Sequence, residues 1–176
     1  MIMEKSELTN CIVNLKKGDM DYFPRFFEST KRNVFLSAYV ILNSKEEAED
    51  IVNETYIKFL ETLDDINPNK SIMAYLATIS RNLSINLIKK REREVELEDE
   101  DTRLSSNDDY DLGLGVFDKA RKILPSDEFE IILLAMVDDL KQREIAKIMK
   151  KPLGTISFKY AKAIKTLRRE LQDERF

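Results

Sequence analysis

The sequence predicts an all-α protein: two helical domains joined by an acidic flexible linker. Three observations carry that prediction. Apolar residues recur at helical spacing along one segment after another, and only four glycines and four prolines interrupt the 176 residues. Glu92–Asp111 holds ten acidic residues against Arg93 and Arg103, with the polar run Ser105-Ser106-Asn107 and few apolar anchors, a composition that stays solvated. Further on, Asp139–Arg169 reads as two short helices about a tight turn. The expected domains are therefore residues 1–93 and 112–176, with the linker over 94–111.

The residue inventory narrows the function classes. A hydrophobic content of 43% beside a charged content of 35% describes a folded, surface-rich chain. Cys11 is the one cysteine, which excludes an internal disulfide, and the absence of histidine excludes His-dependent triads and His-ligated zinc. No Gly-rich phosphate cradle of the GxxxxGK[ST] or GxGxxG kind occurs. No catalytic residue, metal ligand, cofactor or small-molecule substrate is expected. Apolar runs fall short of the roughly 20 residues that cross a bilayer, and MIMEKSELTN has no signal-peptide core, so a cytoplasmic protein without a membrane span is expected.

In chain order, Ser6 is placed to cap a first helix that buries Leu8, Cys11, Ile12 and Leu15, with Cys11 as core, and Gly18-Asp19 ends it. A longer helix runs from Asp21 to Leu42, with Pro24 confined to its first turn because an interior proline costs about 3 kcal/mol. Ser44 and Glu47 form a capping box for the next helix. Ala48, Ile51, Val52, Thr55, Ile57, Phe59 and Leu63 supply its apolar surface. On its outer side lie Glu47, Asp50, Asn53, Glu54, Lys58 and Glu61. Asp50 and Glu54 are one turn apart, and like charges there repel by a few tenths of a kcal/mol, so they need solvent or a basic partner.

Asp64–Lys70 is a polar loop with a turn signal at Asn67-Pro68. Ser71 caps the following helix, which buries Ile72, Tyr75, Leu76, Ile79, Leu83 and Leu87 and turns basic and amide-rich on its exposed side through Arg81, Asn82, Asn86, Lys89, Lys90, Arg91 and Arg93. Amides read base edges and aromatics stack on unpaired bases, so this junction suits nucleic acid. Beyond the linker, a helix is expected over Leu112–Leu124, and another from Pro125 whose Phe129, Ile132, Leu133 and Met136 cover the helix-turn-helix from behind.

In that last motif, Leu140, Ile145, Ile148 and Met149 form one apolar face; Pro152 and Gly154 mark the turn; Thr155 caps the second helix, which buries Ile156, Tyr160, Ala163, Ile164 and Leu167. Lys141–Arg169 carries ten basic residues against Glu144 alone, a local excess suited to a polyanion in a chain of net charge −4. Thr155, Ser157, Phe158, Lys159 and Lys162 are the residues placed to enter a major groove; Phe158 either meets a thymine methyl or packs as core.

Three segments resemble the sigma factors of bacterial RNA polymerase. EEAEDIVNETYIKFL at 46–60 resembles the helix that grips the clamp of the largest polymerase subunit. SIMAYLATISRNLSINLIKKRER at 71–93 is similar to the promoter-melting helix that reads the minus-ten element. LPSDEFEIILLAMVDDLKQREIAKIMKKPLGTISFKYAKAIKTLRREL at 124–171 is similar to the domain that reads the minus-thirty-five element and touches the polymerase flap. Their order, with no domain between, resembles the extracytoplasmic-function (ECF) group.

The resemblance implies a region 2-like bundle followed by a region 4-like helix-turn-helix domain, with core polymerase, promoter DNA and an anti-sigma factor as partners. It implies polymerase contacts at Asp50, Ile51, Asn53, Glu54 and Lys58. It implies DNA contacts at Asn67, Lys70, Tyr75, Arg81, Asn82 and Lys89, with the loop Asp64–Lys70 receiving a flipped base, and at the five helix-turn-helix residues named above. Tyr75 stands where the family usually has tryptophan, and Asn53 where glutamine is common. A competing class is a stand-alone helix-turn-helix regulator that binds duplex DNA as a dimer, but no long heptad seam for a dimer is present.

Overall fold

Residues 3–95 and 116–172 are described by the structure, a computed structural model. Among them every regular element is helical: α1 (Lys5–Lys16), α2 (Tyr22–Leu42), α3 (Lys45–Glu61), a 3₁₀ turn (Leu63–Asp65), α4 (Ile72–Val95), α5 (Val116–Ile123), α6 (Ser126–Met136), α7 (Gln142–Met149) and α8 (Leu153–Gln172). The chain divides into two compact units between Ser106 and Asn107. Of the linker expected over 94–111, residues 94 and 95 still belong to α4 and the rest lie outside the described residues, as does the part of the expected helix over 112–115.

The first unit packs α1, α3 and α4 around α2, which buries Phe26, Val34, Leu36, Ala38, Tyr39, Val40 and Leu42. Phe26 and Phe59 are fully buried and stack at 4.9 Å between ring centroids, and Phe27 meets Tyr56 edge-on at 4.6 Å. Rings of this size contribute roughly 2–3 kcal/mol each by burial, with more from their paired geometry. The Tyr56 hydroxyl shares a 2.7 Å hydrogen bond with Thr30, and burial pushes its pKa up. Along α4, Ser80 and Ser84 are buried yet satisfied: Ser80 donates to the Val34 carbonyl at 3.2 Å and Ser84 to that of Ser80 at 2.8 Å.

Caps explain the boundaries. Ser44 Oγ accepts from the Glu47 N–H at 3.5 Å, and Ser71 Oγ from the Ala74 N–H at 3.2 Å, so both serines cap as expected, but the Glu47 carboxylate turns to Arg91 and leaves the expected capping box half made. Pro24 sits in the first turn of α2. The first helix differs from expectation: it begins at Lys5 with Glu4 as its N-cap residue, the Glu7 carboxylate accepting from the Glu4 N–H at 3.1 Å, and Ser6 lies inside the first turn.

In the second unit α6 is buried nearly all round through Phe129, Ile131, Ile132, Leu133 and Leu134, and forms the back wall for α7 and α8. From the helix-turn-helix, Ile145, Ile148, Met149, Ile156, Ala163 and Leu167 fill the interior. The turn is closed by a Schellman motif: the Lys151 N–H donates to the Ala146 carbonyl at 3.0 Å and the Lys150 N–H to that of Lys147 at 3.3 Å. Lys150, at φ 52, is the left-handed residue. The expectation that Gly154 frees the turn is corrected, since Gly154 is helical; α8 starts at Leu153, which puts Thr155 inside its first turn and not at its cap.

Candidate nucleic-acid interface

On α8, the side opposite Ile156, Ala163 and Leu167 is an exposed stripe of Gly154, Phe158, Ala161 and Lys165, at the spacing that lines one helix face. Phe158 is 70% exposed, so the core alternative for it is overturned. A single exposed aromatic is common on protein surfaces, so what sets Phe158 apart is its place in this stripe. Ala161 and Lys165, which the sequence reading did not place beside Phe158, share its exposed face, and their spacing from it was the available signal.

Three other expected DNA residues of α8, Ser157, Lys159 and Lys162, are engaged within the unit. Ser157 Oγ donates to Gln142 Oε1 at 2.7 Å, tying α8 to the first turn of α7. Lys159 Nζ lies 2.7 Å and Lys151 Nζ 3.1 Å from Asp127 Oδ2. Lys162 Nζ donates at 2.7 Å to Glu128 Oε1, whose side chain is only 3% exposed. Asp127 and Glu128 occupy the first turn of α6, where the helix dipole favours carboxylates. The hydrogen bond from Lys159, then that from Lys151, holds the Asp127 carboxyl below its usual pKa, and the same bond raises that of Lys159. Thr155 is half-buried.

In the first unit, α4 presents Asn82, Asn86, Lys89 and Arg93 as an exposed stripe, with Arg81 half-buried at its flank. Tyr75 is half-buried against the core, and its hydroxyl shares a 2.6 Å hydrogen bond with Thr62. Between those two residues the loop exposes Asn67, Asn69 and Lys70 while Ile66 is buried. Arg91 pairs with Glu47, joining the end of α4 to the start of α3.

The α3 face is acidic and exposed at Asp50, Asn53, Glu54, Lys58 and Glu61. Two isoleucines, both expected in the apolar set of this helix, part company, and Ile51 was also expected at the polymerase contact. Ile51 is buried at 4% exposure and points into the bundle, so it presents no side chain to a partner, whereas Ile57, expected as interior, is 57% exposed among those polar residues. Ala48, Val52, Thr55 and Phe59 define the buried stripe, and Ile57 falls on the far side of it.

A helical bundle followed by a helix-turn-helix domain defines a class, helical DNA-binding proteins. Comparison with known families makes it particular. The Sigma-70 region 2 model matches residues 26–94 and the Sigma-70, region 4 model matches residues 117–167, together well over half of the chain. ECF RNA polymerase sigma factor SigW of Bacillus subtilis is 27% identical over 179 residues, covering 92% of this chain and 95% of its own. EcfG of Rhodopseudomonas palustris is 28% identical over 130 residues, 72% of each chain. The structure of the sigma factor RpoE in complex with the anti-sigma factor NepR from Bartonella quintana superposes with a TM-score of 0.66 at 26% identity, covering 89% of this chain and 99% of that one. This chain belongs to the sigma-70 family, in its ECF group.

Proposed function

We propose that this protein is a transcription initiation factor that binds core RNA polymerase, directs it to specific promoters through its two helical units, and assists opening of the duplex. The observation that carries the reading is the pair of sigma region matches, in order, each falling on a separately packed unit. A stand-alone regulator needs the helix-turn-helix but gives no reason for the acidic α3 face.

In this reading Asp50, Asn53, Glu54 and Lys58 meet the polymerase clamp, with Ile57 as the apolar anchor among them and Ile51 holding the helix from inside. An apolar side chain ringed by charges is the arrangement that gives a protein interface both affinity and register. Asn67, Lys70, Tyr75, Arg81, Asn82 and Lys89 line the path of the non-template strand, and the loop before α4 receives an extruded base. That capture offsets the few kcal/mol lost in unstacking. The α8 stripe enters the upstream major groove, Phe158 against base edges, with Thr155, Ser157, Lys159 and Lys162 on its flank. Each unit binds DNA weakly, and holding both on one enzyme raises their effective concentration. The protein works by binding, in the cytoplasm, and bond chemistry belongs to the polymerase. An anti-sigma protein is its expected inhibitor, as NepR is the partner in the matched RpoE structure.

Run-off transcription with purified core polymerase on a genomic library tests class and promoter together. Selective initiation that appears only with this chain is the expected result; initiation no more selective than that of core enzyme alone would overturn the proposal.

A further inference from the structure

We propose that α1 is the positioning element of the loop before α4, and that Lys16 is the residue that holds the loop in its base-receiving shape. The inference rests on the reading that this loop receives an extruded base. Its basis is where the backbone of the loop directs its carbonyls. Lys16 Nζ donates to the carbonyl of Asp64 at 2.8 Å and to that of Ile66 at 2.8 Å. Farther along the same side, Thr9 Oγ1 lies 3.2 Å from the Pro68 carbonyl while also 3.0 Å from that of Lys5. Three alternate carbonyls thus turn toward one face of α1.

The rest of the loop is closed on itself. The Asp65 and Ile66 N–H groups donate to the carbonyls of Thr62 and Leu63 at 3.0 and 3.2 Å. Asn67 makes an Asx turn, its Oδ1 accepting from the Asn69 N–H at 2.9 Å, and its carbonyl accepts from the Lys70 N–H at 3.1 Å. Ile66 anchors the middle in the core, and the bond between the Thr62 and Tyr75 hydroxyls joins the two ends. Asn67, Asn69 and Lys70 are left exposed.

Lysine here is not a surface ion-pair partner. Two of its three donors are spent on main-chain carbonyls, and a hydrogen bond to a charged donor is roughly twice as strong as a neutral one. What it fixes is the ψ of Asp64 and of Ile66, and hence the direction in which the following asparagine leaves the core. A receiving site on a loop discriminates among bases only if its shape exists before the base arrives. Lys16 supplies that from an element which need not touch DNA.

The test uses holoenzyme reconstituted from core polymerase and the full chain. The probes are fork-junction DNAs from a promoter found by run-off transcription, carrying each of the four bases or an abasic site at each non-template position of the minus-ten element. Wild type should prefer one base at one extruded position. Lys16→Met removes both bonds and should reduce that preference at least about tenfold, the fold-change of even one lost hydrogen bond to a charged group. Lys16→Arg should keep most of it, and Thr9→Val should reduce it less than Lys16→Met does. Core-polymerase co-elution and the helical circular dichroism spectrum, both retained in Lys16→Met even if its melting temperature falls, separate positioning from loss of the fold. Undiminished preference in Lys16→Met overturns the proposal alone. No preference in wild type at any position overturns the base-receiving reading of the loop, and the role of Lys16 with it.

Discussion

Asp127→Asn separates two roles that one carboxylate can play behind a recognition helix. Its Oδ2 takes both the 2.7 Å bond from Lys159 and the 3.1 Å bond from Lys151, and all three side chains are about a third exposed, between 28% and 35%. Half-exposed pairs contribute about 0.2–1 kcal/mol each, so losing two costs about 1 kcal/mol. Hydrogen exchange of the α6 and α8 amides in the full chain should report it. The pH dependence has a definite sign. Because the Asp127 carboxyl is held below its ordinary value, its stabilisation is fully present above the usual aspartate pKa of roughly 4 and is lost as the pH falls through the lower folded value; the Asn variant lacks that loss. DNA binding should change in the opposite direction to stability. A lysine bonded to Asp127 must leave it to reach a phosphate, so freeing two lysines should tighten binding of holoenzyme to a promoter fragment by about threefold to fivefold at low salt. The plot of log affinity against log salt should steepen by up to about 1.8, the value for two added phosphate contacts. Fluorescence anisotropy across a salt series measures both. Weaker binding with an unaltered slope would refute competition and make Asp127 a support for the lysines.

Four further variants probe the remaining assignments. Replacing Asp50 and Glu54 with lysine should abolish co-purification with core polymerase while leaving the circular dichroism spectrum and melting temperature unchanged, since both side chains are exposed. Phe59→Ala removes a fully buried ring stacked on Phe26 and should cost about 3–5 kcal/mol in chemical denaturation of the first unit. Phe158→Ala should leave unfolding within about 0.5 kcal/mol, because the ring is 70% exposed, yet change which promoters are selected in a run-off library. Lys150→Gly should stabilise the helix-turn-helix by about 0.5–1 kcal/mol in hydrogen exchange, because glycine adopts a φ of 52 without the strain that lysine carries.

What could be read from the sequence followed the range of the interaction concerned. Ser44, Ser71 and Pro24 declare helix starts through chemistry within one turn of themselves, and each was legible. The division into two helical units was legible too, because a run of carboxylates cannot be packed. Less local features were not. Both isoleucines of α3 are apolar, and which one faces the core depends on the packing of Tyr56 and Phe59 against Phe26, although the Ala48–Val52–Thr55–Phe59 stripe held the clue. Gly154 looked like the turn residue because glycine tolerates any conformation, but the Schellman bonds select Lys150 by its distance from the end of α7. The pairing of Lys159 with Asp127 joins residues on different helices and leaves no periodicity to find.

That last pairing alters how the charge of this domain should be understood. Ten basic residues against one acid between Lys141 and Arg169 suggest a surface that would seize any duplex. Folding brings two carboxylates from outside that stretch onto three of its lysines, so the usable excess is smaller than the sequence count. Glu128 is too deeply buried to leave Lys162 without stranding its own charge, which ties that lysine down more firmly than Asp127 ties Lys159. In the reading proposed above, a recognition helix whose flanking cations are already occupied gives up non-specific affinity and leaves Phe158, Ala161 and Lys165 as its exposed face. Such a helix selects poorly when free and well when a larger enzyme supplies the local concentration, and that is the condition under which a promoter-directing subunit must act.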